Sequence, residues 1–497
     1  MDTVNLLLSG FGAALSLQNL LYAFVGCILG TIVGILPGLG PVSATAILVP
    51  LTFHLSQTGS IIMLAAIYYG AMYGGTITSV LINVPGETAS VITCIDGYQM
   101  ARQGRAGAAL SIAAVGSFIG GTFAVVGLVI AGPLLARKAL EFGPPDLFAM
   151  MMLGLSLIMG LAGKSLVKGL MMGMLGLFLS MIGMEVGEGI PRFTFDSMQL
   201  MRGIDFIAIL IGLFGLGEIL INAETPASRI LGAKMSSLIP TSRDLKDSAK
   251  PIARGTVLGF FLGIIPGLAA AIPTIISYTI EKKLSKHPER FGNGAIEGVA
   301  GPETANNSYA NGAFVPLLTL GLPSSPTVAV LMGALMMHGV TPGPMLFRDH
   351  APLVWTLIAS MYVGNVILLI LNLPLITVWV SILKIPYSIL IALILLFTVV
   401  GAYSLNNQVF DVGVMTLFGV LGYILRKFDF PLAPLALTLI LGPIMENALR
   451  QSMGMSQGSF HIFLERPLAI VFLALAIVVL VTTGLGLARA ARKDAEA

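Results

Sequence analysis

The sequence predicts an all-α polytopic membrane protein, built from two related halves that each contain broken helices. Three observations predict it. Of 497 residues, 56% are hydrophobic and only 10% charged, and the mean hydropathy is +0.93, whereas soluble proteins carry roughly 25% charged residues. Apolar stretches long enough to cross a hydrocarbon core of ~30 Å recur along nearly the whole chain. Finally, Gly34-Ile35-Leu36-Pro37-Gly38-Leu39 returns as Gly263-Ile264-Ile265-Pro266-Gly267-Leu268, and Gly30 matches Gly259 at the same offset.

The first half runs over residues 1–225, with apolar stretches near 18–35, 41–54, 61–82, 108–135, 146–162, 166–184 and 204–221. A polar, basic connection follows at 226–253. The second half, 254–488, holds stretches near 255–281, 311–338, 351–371, 374–384, 387–403, 410–425, 431–447 and 466–488, and a tail of 489–497 closes the chain. Several stretches are too short to span alone, so about 11 to 13 transmembrane or re-entrant segments are expected, hairpins and half-helices among them. Sequence leaves open whether the halves are parallel or inverted; inversion is the commoner transporter design.

Charge placement orients the chain. Arg229, Lys234, Arg243, Lys246, Lys250 and Arg254 crowd one connection, Lys282, Lys283, Lys286 and Arg290 another, and Arg489, Arg492 and Lys493 the end. The positive-inside rule puts all three on the cytoplasmic side. The segment 255–281 then enters and leaves on one face, and reads as a hairpin or re-entrant loop in preference to a single kinked span. No Lys or Arg precedes Arg102, so the first apolar stretch is expected to remain in the mature protein. The net charge of +3 indicates no nucleic-acid partner. Trp355 and Trp379 read as headgroup anchors, and Glu281 with the basic run after it as a solvated loop. Cys27 and Cys94, in apolar surroundings, read as buried inert thiols.

Proline removes a helix donor and glycine relaxes the backbone, so Pro37-Gly38 and Pro266-Gly267 mark interruptions at membrane depth. A second pair of breaks follows: Asn83-Val84-Pro85-Gly86-Glu87-Thr88 resembles Gly321-Leu322-Pro323-Ser324-Ser325-Pro326. Matched interrupted helices in two halves are the sequence pointer to a transporter's substrate site. Amide groups at the start of each following half-helix suit a carboxylate, and carbonyls at the preceding end suit a cation. The expected substrate-binding set is therefore Pro37, Gly38, Gly40, Asn83, Pro85, Gly86, Thr88, Pro266, Gly267, Ser324 and Ser325. Asn306 and Asn307 join it from the polar run Pro302-Glu303-Thr304-Ala305-Asn306-Asn307-Ser308, because polar groups inside a membrane core usually face a cavity or pathway. Glu87, Glu303 and Thr304 are the expected ion-coupling residues, with helix capping as the bland alternative for Glu87. No catalytic residue, metal-ligand motif or phosphate loop is found, so an enzyme is disfavoured and no cofactor is expected beyond a coupling cation, Na+ or H+.

These motifs resemble the large membrane subunit of the tripartite tricarboxylate transporter family. The resemblance rests on Leu29 to Pro41, on Tyr69-Gly70-Ala71-Met72-Tyr73-Gly74-Gly75, on Asp96-Gly97-Tyr98 with Ala101 to Gly107, on Glu281 to Glu289, and on Glu297 to Asn307. It covers nearly the whole length. The resemblance implies a permease of the bacterial inner membrane, working with a small membrane subunit and a periplasmic solute-binding protein to import carboxylates such as citrate on an ion gradient. A stand-alone secondary transporter and a passive anion channel are the alternatives. Ala269-Ala270 and Pro323-Ser324-Ser325 depart from the family's more glycine-rich turns, so a carboxylate is implied more firmly than citrate.

Overall fold

In the computed structural model, residues 3–36, 39–161, 165–185, 189–224, 240–382 and 387–496 are described. Pro37 and Gly38, and residues 225–239 with the first half of the basic connection, lie outside them. Among the described residues eight helices are long and apolar enough to cross a membrane: Leu17–Ile35, Gln57–Ile82, Ala106–Ala139, Phe206–Glu224, Ala351–Asn372, Val409–Lys427, Leu432–Met455 and Pro467–Gly486. Shorter apolar helices such as Gly40–Thr52 and Pro326–Met337 supply the half-length pieces. The strands Gly183–Met184 and Pro191–Arg192 form a two-residue antiparallel ladder.

Glycine spacing dictates how the core packs. Gly26, Gly30 and Gly34 of Leu17–Ile35 lie against the carbonyls of Met63, Ile67 and Ala71 of Gln57–Ile82, so closely that a methyl group on any of them would collide. In the second half, Gly255, Gly259 and Gly263 of the Ser242–Gly263 helix lie the same way on Gly301, Ala305 and Tyr309 of Glu297–Gly312. Small residues every fourth position let two helix backbones meet along their length. Residue numbers rise together in both ladders, so each pair runs parallel.

Between the two halves the numbers run the opposite way. Asp96 lies against Gly298, the Thr93 hydroxyl donates to Glu303, Asn306 donates to Glu87, and Tyr68 stacks near Phe314. As one partner ascends the other descends, so the halves are inverted relative to one another. The backbone repeats too. Asn83 and Gly321 both take the left-handed conformation that ends their helices, and Glu87 and Ser325 both cap the next one from extended backbone, φ −148° in each.

The segment 255–281 folds back on itself. Gly263 ends one leg, Ala271 starts the next, and Arg254 Nε donates to Glu281 Oε1 at 2.8 Å. A continuous helix would hold those residues ~40 Å apart at 1.5 Å per residue. Glu281 is thus buried, not part of a solvated loop, because folding back delivers it to Arg254. The tryptophans also depart from the headgroup expectation. Trp355 is buried with its backbone against Gly10, and Trp379 is buried with its indole N–H on the Leu371 carbonyl. Cys27 is buried, Cys94 only partly, and both are free thiols.

Candidate functional site

Four backbone breaks meet at one cavity of about 500 Å3. Leu39, Gly40 and Pro41 come from the first, Pro85, Gly86, Glu87 and Thr88 from the second, Gly267 to Ala270 from the third, and Ser324 to Thr327 from the fourth. Each break is followed by a helix that starts beside this space: Gly40–Leu48, Val91–Arg102 after a 3-10 turn, Ala271–Leu284 and Pro326–Met337. The breaks also brace one another. Gly267 N donates to the Ser324 carbonyl at 2.9 Å, the Tyr309 hydroxyl donates to the Leu268 carbonyl, and Gly86 sits against the Gly34 carbonyl with no room for a side chain.

Among the described residues three charged side chains line the cavity: Glu87, Glu218 and Arg426. Glu87 is buried and accepts Asn306 Nδ2 at 2.7 Å. Its backbone N–H also reaches the hydroxyl of Ser90, which caps the turn. Arg426 forms an ion pair with Glu218, the carboxylate being the more buried partner. Glu218 stands just past a π-helical turn, Ile211–Leu216, inside the Phe206–Glu224 span. π-turns release carbonyls from the regular ladder, and here Ser43 Oγ donates to the Phe214 carbonyl at 2.6 Å. That bond ties the span to the first half-helix beside the cavity.

The structure sorts the residues singled out from sequence. Gly40, Pro85, Gly86, Glu87, Thr88, Gly267, Ser324 and Ser325 line the cavity. Asn306 stands directly behind Glu87. Pro266 neighbours the lining residue Gly267, and Pro37 and Gly38 lie outside the described residues. Asn83, exposed, ends its helix in the left-handed region and is not a lining residue. The 302–308 polar run divides, since successive helix residues point about 100° apart. Asn307 turns to Ser117, donating to its hydroxyl at 2.7 Å. Thr304 bonds back to Ala300 and packs on Gly116. Glu303 lies one layer behind, accepting the hydroxyls of Thr76 and Thr93. Asn83, Asn307 and Thr304 therefore do not meet the cavity, and Glu303 meets it only through intervening groups. Among the polar lining residues, motif reasoning missed Arg426, Glu218 and Ser43.

Comparison with known proteins gives a concordant picture. The family model described as "Tripartite tricarboxylate transporter TctA family" matches residues 20–437. An Agrobacterium vitis protein named "Uncharacterized 52.8 kDa protein in TAR-I ttuC' 3'region" is 47% identical over 478 residues, covering 96% of this chain and 95% of the relative. A second from the same organism, "Uncharacterized protein in TAR-II ttuC' 3'region", is 47% identical over 220 residues, covering 44% of this chain and 91% of its own length. No solved structure matches.

Proposed function

The chain belongs to the tripartite tricarboxylate transporter TctA family, a family of transporters and not of enzymes, and from that premise we propose a specific role. It is the large permease subunit of a cation-coupled importer of di- or tricarboxylates, sited in the bacterial inner membrane. A small membrane subunit completes it and a periplasmic solute-binding protein delivers the substrate. The observation that carries this reading is the convergence of four half-helix N-termini and Arg426 on one cavity.

Physical chemistry connects that geometry to an anion. Each helix start carries roughly half a positive charge and unpaired amides, a ready site for carboxylate oxygens. A volume of about 500 Å3 falls within the range of small-molecule sites, ~300–1,000 Å3. One carboxylate sits at the break amides with Ser324 and Ser325, and another faces the Arg426 guanidinium, whose planar fork matches a carboxylate. A di- or tricarboxylate brings at least two negative charges into this cavity. Moving such a load through a low-dielectric layer is costly unless cations accompany it, which is the reason to couple uptake to Na+ or H+.

The test is reconstitution with the small subunit and the binding protein. Labelled carboxylate uptake should require both partners and follow an imposed Na+ or pH gradient without ATP. Uptake that continued after both gradients had collapsed, or that needed neither partner, would refute the proposal.

A further inference from the structure

We propose that a small void beside Glu303 is a binding site for one monovalent cation of the sodium class. The inference deepens the coupling proposed above and rests on it for its role in transport, but not for the existence of the site. Tyr73 and Thr76 of Gln57–Ile82, Ser117 of Ala106–Ala139 and Asn372 of Ala351–Asn372 face a void of about 10 Å3. That is room for a single occupant of water size.

Two independent features point to an ion. The first is the donor set, all oxygen. Tyr73 Oη and Asn372 Oδ1 are buried with no hydrogen-bond partner among the described residues. The Asn372 amide nitrogen is already engaged with the Leu368 carbonyl at 2.9 Å. Thr76 Oγ1 spends its proton on Glu303 Oε2 at 2.6 Å, and Ser117 Oγ accepts Asn307 Nδ2 at 2.7 Å; both keep lone pairs to offer. The second feature is charge. Glu303 is 1% exposed, and among the described residues no ion pair reaches it. A lone buried carboxylate is strongly unfavourable unless neutralised, and the void lies one hydroxyl away from it.

The same geometry explains how such a cation would reach the anion site. Glu303 and Asn306 stand one turn apart on Glu297–Gly312, and Asn306 holds Glu87 at the cavity wall. Occupancy of the void fixes Thr76 and Glu303, hence the turn that presents Asn306.

The experiment is equilibrium binding of 22Na+ to the purified full-length permease in nanodiscs, with ionic strength held by choline chloride. Saturable binding of about one ion per chain is expected, with Glu303→Gln and Asn372→Ala each weakening it at least about tenfold. Tyr73→Phe deletes one hydroxyl from a retained ring and should weaken it measurably in a protein that still elutes as a single species. Absence of saturable binding in the wild type, or binding undiminished in all three variants, would overturn the site. Sodium binding that follows the variants, alongside failed uptake in the reconstituted system, would sink the transport reading and leave the site standing. Uptake driven by a pH gradient with no sodium binding would do the reverse.

Discussion

Asn306 of one inverted half donates its amide to Glu87 of the other at 2.7 Å, joining the polar helix Glu297–Gly312 of the second half to the broken turn of the first. Glu87 lines the cavity and Asn306 does not, so the asparagine acts by holding a carboxylate in place. Leaving a buried acceptor without its partner costs about 1–3 kcal/mol.

Removing that bond leaves Glu87 free to swing out of its place in the cavity wall. Asn306→Ala should therefore raise the uptake KM by about fivefold or more, following that range. Asn306→Asp, which sets a second carboxylate against the first, should be worse still. Initial uptake rates over a substrate series are the measurement, and an unchanged KM in the alanine variant would contradict the assignment.

Among the described residues Arg426 is the one cationic side chain on the cavity wall, and it pairs with Glu218. Removing one member of a desolvated charge pair costs about 2–5 kcal/mol. Arg426→Gln should therefore weaken competition by dicarboxylates at least about thirtyfold, and competition by monocarboxylates much less. Arg426→Lys keeps the charge without the planar fork and should fall between. Equal losses for mono- and dicarboxylates would mean that Arg426 serves the fold and not the second carboxylate.

The breaks were legible in sequence because their cause is local: proline and glycine interrupt a helix wherever they stand. Repetition made them persuasive, since chance rarely duplicates Gly30, Gly34 and the Pro-Gly turn together. Arg426 and Glu218 were not legible, for each looks like an ordinary charge near a helix end facing a basic loop. Only the inverted packing brings Phe206–Glu224 and Val409–Lys427 against the breaks. The polar run at 302–308 was found but not divided, because composition reveals that polar groups exist at depth and not which way each faces. Asn306 and Asn307 are neighbours in the chain and serve opposite sides of one helix.

The glycine ladders predict a matched pair of packing defects. A methyl group at Gly30 would collide with the Ile67 carbonyl, and one at Gly259 with the Ala305 carbonyl. Backbone cannot yield as a side chain does, and overpacking costs about 1–3 kcal/mol. Gly30→Ala and Gly259→Ala should each lower the apparent melting temperature of the purified protein, while Gly12→Ala, which meets nothing within 4 Å, should not. Dissimilar losses at the two ladder sites would argue against equivalent packing in the two halves.

Asp244, in the first turn of Ser242–Gly263, supplies a dependence on acid. Partial burial works against its charge, but the Thr241 hydroxyl and amide and the Arg105 guanidinium outweigh it, holding the carboxyl below its ordinary value. A carboxyl whose folded pKa is depressed stabilises the fold above its unfolded pKa, about 3.9, and loses that contribution as pH falls through the folded value. The melting-temperature gap between wild type and Asp244→Asn should thus be level from about pH 7 to 5 and close below about pH 4, because the wild-type carboxyl then becomes neutral as the amide always is. A gap that instead widened in acid would mean that the Arg105 pair does not stabilise this helix start.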